Sequence, residues 1–500
     1  MMKHEVINIT AMKNLTIISL LSLMLLNCSQ KRAVVSDLAI VHISVIDATG
    51  TQAQSDMTVL INGNTITDIL PSNSVKIGTE SKIVDGKGKF LIPGLWDMHV
   101  HSSNDSIFFT LMIANGVTTV RQMFSNRYDF PIMLEWRNQI NDRKLIGPNL
   151  YVPLAVFGPK QRWGGMEVKS EEEVIAVVEE IRETGADFIK VFDLYDPDIY
   201  FTLLSEAQKN GIRVAGHAPI SVKIAEAAQA GQRSFEHLLG VLLASSSKEE
   251  NIRKEMVKKA ELVHDSISDL SHNLYFIHPE DILDSYDTAK ANQLMEQLKN
   301  SGCYMCPTLS LWNGQLKVIN SELIQNEYGK YVPAQYLNGW STFASNGFTA
   351  HILPSEYDLF KRFINKRFEI VNELNQHGIP FLAGTDVSWW NHNIIPGFSL
   401  HDELSLLVNA GLTPMQALQA ATRNAAEALD VLNKTGTIEV GKKADLVLLD
   451  VNPLEDINNT RKINAVIKAG QYISREELDK LLKEVEKKVH ERYALAFEND

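Results

Sequence analysis

Five stretches of the chain end an apolar run with residues that hold metal ions or move protons. In Leu95-Trp96-Asp97-Met98-His99-Val100-His101 the polar residues alternate with apolar ones. Residues two apart on a strand share a face. Both imidazoles therefore project together, which suits two nitrogen ligands on one cation. Asp187-Phe188-Ile189-Lys190-Val191-Phe192 carries Lys190 among apolar neighbours. Ile212 to His217, Arg233 to His237 and Ile379 to Asp386 close on His217, His237 and Asp386. A polar group without partners at a buried strand end is costly, so their recurrence points to a shared site.

Each residue also has a plainer reading. Lys190 either snorkels to solvent or a carboxylate, or has a lowered pKa and takes up carbon dioxide as a carbamate able to bridge two cations. His217 lies in Gly216-His217-Ala218-Pro219, whose small residues leave room for an ion or substrate. His237 follows Glu236, and the pattern leaves open which of the two faces inward. Asp386, beside an activated water, suits the role of taking its proton and passing it to a leaving group. Arg121 and Tyr195, near strand ends, are candidates for binding a substrate carboxylate, with packing or surface exposure the simpler role. Cys303 and Cys306 lie three apart on a strand, hence on opposite faces, and read as packing residues.

The elements that must position these groups alternate strand with helix. Gly116–Arg121, Asn149–Pro153, Asp187–Phe192, Ile212–His217, Arg233–His237, Cys303–Thr308 and Ile379–Asp386 are strand-like. Ser170 starts one helix, with Glu173 at the capping-box position and Gly185 as its stop. Repeated strand–helix units predict a parallel sheet, and their number predicts an α/β fold closed as a (β/α)8 TIM barrel over residues 93–431. Such a barrel carries its site at the C-terminal strand ends. Segments at about 240–300 and 311–370 are too long for simple connections and are candidates for a lid. The strands of 34–92, with a hairpin turn at Asn62-Gly63-Asn64, and those of 432–473 predict one β-sandwich built from both termini. The tail, 474–500, predicts a helix whose Leu478, Leu481, Leu482, Val485 and Val489 pack on the sandwich or on a second subunit, leaving a homo-oligomer open.

At 500 residues the chain is long enough for one large and one smaller domain. A formal charge of −13 disfavours nucleic acid as a partner, and three cysteines cannot form a disulfide framework. Leu15 to Leu26 is almost wholly apolar, with Lys13 before it and Cys28 just after. That length suits a secretory signal and falls short of a membrane span. The arrangement resembles a bacterial lipobox, with Asn27 a departure from the usual small residue. It predicts a signal peptide over 1–28, read from Met1 or Met12, and a cell-envelope lipoprotein held to the membrane only through a lipid on Cys28. Plain secretion and an uncleaved anchor are the alternatives.

With His99-x-His101, Lys190, His217, His237 and Asp386 in this order, the chain resembles the amidohydrolase superfamily of metal-dependent hydrolases. The likeness is greatest to imidazolonepropionase-like and prolidase-like members. Other matching stretches include Leu91-Ile92-Pro93-Gly94-Leu95, Gly185-Ala186-Asp187-Phe188-Ile189-Lys190, Leu400-His401-Asp402-Glu403-Leu404 and Gly441-Lys442-Lys443-Ala444-Asp445. Gln122 departs from the pattern, standing where relatives often have Asp. The resemblance implies that His99, His101 and Asp386 hold one Zn2+ or another divalent metal. His217 and His237 would hold a second, with carboxylated Lys190 as the bridge. Some relatives keep a single metal, so the count stays open. The implied activity is hydrolysis of a C–N amide bond in a dipeptide, N-acyl amino acid or cyclic amide. The runner-up is a non-catalytic envelope binding protein on a retained barrel.

Overall fold

The computed structural model describes residues 33–102, 106–157, 165–192, 196–262, 278–320, 328–337, 340 and 354–497. The expected signal segment with Cys28 and the residue Tyr195 lie outside them. Among the described residues no helix is long and apolar enough to cross a membrane.

Both ends of the chain meet in one eight-stranded sheet. Phe90–Pro93 pairs antiparallel with Leu446–Leu449 and parallel with Leu38–Val45. The hairpin turn falls where expected, between Gln54–Asn62 and Thr65–Pro71, with Gly63 at φ 59°. Alternation along these strands serves two cores. Leu91, Leu446 and Leu448 face a small core with Ile40, Val59 and Ile61. Ile92, Val447 and Leu449 face the main core. Thr437–Val440, expected as a strand, is irregular. Its Ile438 N–H bonds the Asp47 carbonyl, with Gly441 turning the chain just beyond.

The middle of the chain forms parallel ladders. Leu95–Val100, Val117–Gln122 and Asn149–Tyr151 make a three-stranded sheet. Pro153–Phe157, Phe188–Val191, Val214–Gly216, Ser234–Glu236 and Tyr304–Cys306 follow in order in a second, with Met166–Glu167 at its edge. The stretch 381–387 bonds to both sheets. Leu382 N–H reaches the Met305 carbonyl, while Met98 N–H reaches the Ala383 carbonyl and Asp386 N–H the His99 carbonyl.

Helices cover the ladders for readable reasons. Glu171–Thr184 begins at Ser170, whose hydroxyl accepts from Glu173 N–H, and stops at Gly185 with φ 72°. Its Val174, Val177, Val178 and Ile181 form the buried stripe of a 3.6-residue period. The described parts of the two long segments are built into the core. Trp312, Tyr331 and Trp340 are buried, and the Trp340 indole donates to the Trp389 carbonyl. The C-terminal helix, Arg475–Phe497, buries Leu478, Val485 and Val489. It lies on helix Ser106–Ala114 and on Ile463–Lys468, so its apolar face is used within the chain.

Candidate active site

Leu95–Val100 sends Trp96 and Met98 to one apolar cluster and Asp97 and His99 to the opposite face. Asp97 accepts from Thr385 N–H at 3.0 Å and from Thr385 Oγ1 at 2.7 Å. Burial lifts its pKa to about 6 against those bonds. Asp97 thereby ties the first strand to the stretch that carries Asp386.

His99 Nε2 lies 3.2 Å from Asp386 Oδ1, and His101 Nε2 lies 3.0 Å from the same oxygen. The ligand atoms of the three residues all fall within 4.8 Å of one another. On its other side, His99 Nδ1 is 2.9 Å from Glu236 Oε2. An ionised carboxylate only accepts, so Nδ1 carries a proton. Burial opposes a charge on the ring, but Asp386 and Glu236 outweigh it and raise the His99 pKa. Two ring nitrogens and a carboxylate oxygen converging in this way call for a positive charge, which either a proton on His99 or a bound cation supplies. A divalent cation fits that donor set.

Glu236 is fully buried. Burial opposes its ionisation, but Arg121 and His99 outweigh this and hold its carboxyl well below the usual range. Burial likewise opposes the charge on Asp386, and His99 and His101 overcome it. Asp386 stands at φ 59° and His237 at φ 62°, both left-handed and uncommon for such residues. This conformation breaks strand alternation, so Glu236 and His237 both reach the interior although adjacent in sequence.

The other expected residues gather around this centre. The His237 ring is 4.6 Å from that of His99 and 5.1 Å from that of His217. Its Nδ1 lies 2.7 Å from Thr308 Oγ1. Burial and the neighbouring His99 push its pKa well down. His217 follows Gly216, where a Cβ would meet the Val191 carbonyl oxygen at 2.1 Å. Only glycine lets these strands close there. Lys190 is buried with Nζ 4.6 Å from the Phe192 ring centre, and its charge acts on His101, Glu236 and His237. His101 is the open member of the set, its side chain 30% exposed.

The structure decides one open reading and gives roles to three other residues. Arg121 is not available to a substrate carboxylate. It is buried and donates to the Met98 carbonyl at 2.7 Å, Ser234 Oγ at 2.8 Å and Glu236 Oε1 at 2.8 Å. His401 and Glu403, in the matching Leu400–Leu404 stretch, are scaffolding. His401 bonds Thr460 and the Asn115 carbonyl, while Glu403 accepts from Leu309 and Ser310 N–H at the start of Leu309–Ile319. Gln122 accepts from the N–H and hydroxyl of Ser102. Cys303 and Cys306 are both buried, as packing residues should be. The thiol of Cys306 lies close to His99 and Glu236. Burial holds its pKa well up, keeping it a thiol rather than a ligand.

Glu236 and Thr308 are site residues that the strand pattern alone did not single out. A buried acid directly before His237 was the available signal for the first.

A parallel α/β scaffold with metal-suited residues at its strand ends defines a class, and sequence comparison agrees. Residues 90–473 match the amidohydrolase family, and the chain belongs to it. An imidazolonepropionase of Mesorhizobium japonicum is 31% identical over 202 residues, covering 38% of this chain and 43% of that protein. One from Thermoplasma volcanium is 36% identical over 91 residues, 18% of this chain and 22% of that one. The chain thus spans less than half the length of these curated relatives. Among solved structures, a bottromycin amidohydrolase is similar with TM-score 0.67 at 20% identity, covering 90% of each chain. A Xaa-Pro dipeptidase with bound methionine follows at TM-score 0.60 and 21% identity, covering 87% of this chain and 99% of that one. These similarities bear on the fold.

Proposed function

We propose that this chain is a divalent-metal-dependent hydrolase of C–N amide bonds. The convergence of His99 and His101 on one oxygen of Asp386 carries the reading. His99, His101 and Asp386 would hold one cation. His217 and His237 would hold a second, with Lys190, as its carbamate, between them. Bound zinc would supply Lewis acidity and a water of lowered pKa. Glu236 keeps a proton on His99 Nδ1, so that Nε2 is the nitrogen that would give its lone pair to a bound cation. Asp386 takes a proton from the attacking water and returns it to the leaving nitrogen. His101, partly exposed, marks the side from which substrate enters. The similar proteins are named for imidazolonepropionate, Xaa-Pro dipeptide and bottromycin amide chemistry. Dipeptides, N-acyl amino acids and cyclic amides are accordingly the substrates to try.

The bonds from 381–387 to both parallel sheets support a closed (β/α)8 barrel over 93–431. The small core of the two-ended sheet supports a sandwich-like unit of 34–92 with 432–473. Lipidation of Cys28 would place the enzyme on the cell envelope. A diacylated cysteine at the mature N-terminus is the expected mass, and an unmodified N-terminus overturns that placement.

Metal analysis of purified protein, followed by the amide panel, tests the activity. Turnover should vanish on chelation and return with zinc. Metal-free protein without turnover on any amide would instead favour a binding protein. Asp386→Asn should lose at least about 100-fold in kcat, the scale of general acid–base catalysis. Full activity in that variant removes Asp386 from proton transfer.

A further inference from the structure

Beside the histidines, three strands end in phenylalanine. Phe157 closes Pro153–Phe157, Phe192 follows Phe188–Val191, and Phe124 lies two residues past Val117–Gln122. Phe157 and Phe192 stack at 4.4 Å with 11° between their planes. Phe124 meets them edge-on at 6.5 and 6.2 Å. Phe192 in turn meets the His217 ring edge-on at 5.4 Å. This trio lies outside the core clusters of the described residues. Phe157 is buried, whereas Phe124 and Phe192 are only half-buried. The Phe157 ring is held from behind by Gly165, where a Cβ would come within 2.2 Å of it. A partly accessible aromatic wall therefore stands three ring contacts from His99, through His217 and His237.

Phe124 and Phe192 keep part of their surface open at the strand ends that carry the histidines. Aromatic surface of this kind gains most by covering another apolar ring. We propose that Phe124, Phe157 and Phe192 form a specificity wall for an aryl or large apolar group next to the scissile amide. The proposal rests on the amide-hydrolase reading above and names its substrate class. Covering one aryl group there gives a preference of about 10- to 100-fold over a methyl-sized group.

The test pairs dipeptides and N-acyl amino acids differing only in phenylalanyl or alanyl character on either side of the bond. Wild-type kcat/KM should favour the phenylalanyl member of at least one pair by tenfold or more. The ratio should fall about tenfold in Phe192→Ala and less in Phe192→Leu, which guards against a folding failure. A wild-type ratio near one, or a ratio untouched by both variants, overturns the wall. Titration calorimetry with N-acetylphenylalanine and N-acetylalanine decides independently of turnover. Tighter binding of the former, lost in Phe192→Ala and only weakened in Phe192→Leu, supports the wall even if no amide is cleaved. Equal binding overturns it, while turnover without preference leaves the hydrolase reading standing.

Discussion

Glu236→Gln separates the structure's account of His99 from a simple packing role. The wild-type carboxylate accepts from Arg121 Nη2 at 2.8 Å and Ser234 Oγ at 2.7 Å on one oxygen, and faces His99 Nδ1 at 2.9 Å with the other. Glutamine has one acceptor and one donor end. Its oxygen will stay with Arg121, because a charge-assisted bond is about twice as strong as a neutral one. Its NH2 then donates to His99 Nδ1, which moves the ring proton to Nε2, the atom facing Asp386. Zinc affinity should fall about 10- to 100-fold, the range for lost outer-shell partners. Loss of the anion also leaves Arg121 buried without its counter-charge, costing about 3–5 kcal/mol of stability. Competition against a chromophoric chelator measures the first effect, and urea unfolding the second. Zinc binding as tight as wild type, in folded protein, would refute the tautomer argument.

Two further predictions address the scaffold. In Gly384→Ala the new Cβ would lie 2.5 Å from Cys306 Sγ, 2.8 Å from His99 Cβ and 2.9 Å from His99 N. Backbone must shift to admit it, so stability should fall by about 1–3 kcal/mol and zinc affinity with it. Unchanged affinity would show that this contact does not position His99. Burial, with the charge of Asp97 adding to it, raises the Glu403 pKa from 4.5 to about 8 against the bonds from Leu309 and Ser310. The native state then holds a proton that the unfolded chain releases. The contribution is full below pH 4.5 and is lost as the pH rises through about 8. Wild type should lose a few kcal/mol relative to Glu403→Gln between about pH 5 and 9. Parallel stability curves would mean that Glu403 does not titrate in this window.

Much of this was readable because one element at a time settles it. Alternation in Leu95–His101 placed Asp97, His99 and His101 on one face. Ser170 and Gly185 marked a helix, and Asn62-Gly63-Asn64 a hairpin. Thr437–Val440 misled because strand-like residues form strand only where a neighbour offers a ladder. Arg121 took the simpler of its two roles, packing; its position at a strand end was visible, but its acceptors lie on two other strands, at Met98 and at Ser234 and Glu236.

The sequence by itself determined which residue types end the strands and that both termini contribute strands, since periods of two and 3.6 are written along the chain. Only the tertiary structure decided that Glu236 and His237 both face inward, because a left-handed turn at His237 interrupts the period. It also decided that Asp386 meets both histidines on one oxygen, that Glu236 fixes the tautomer of His99, and that three phenylalanines stand beside His217. Those relations are distances between strands far apart in sequence. Packing sets such distances, and no local pattern records them.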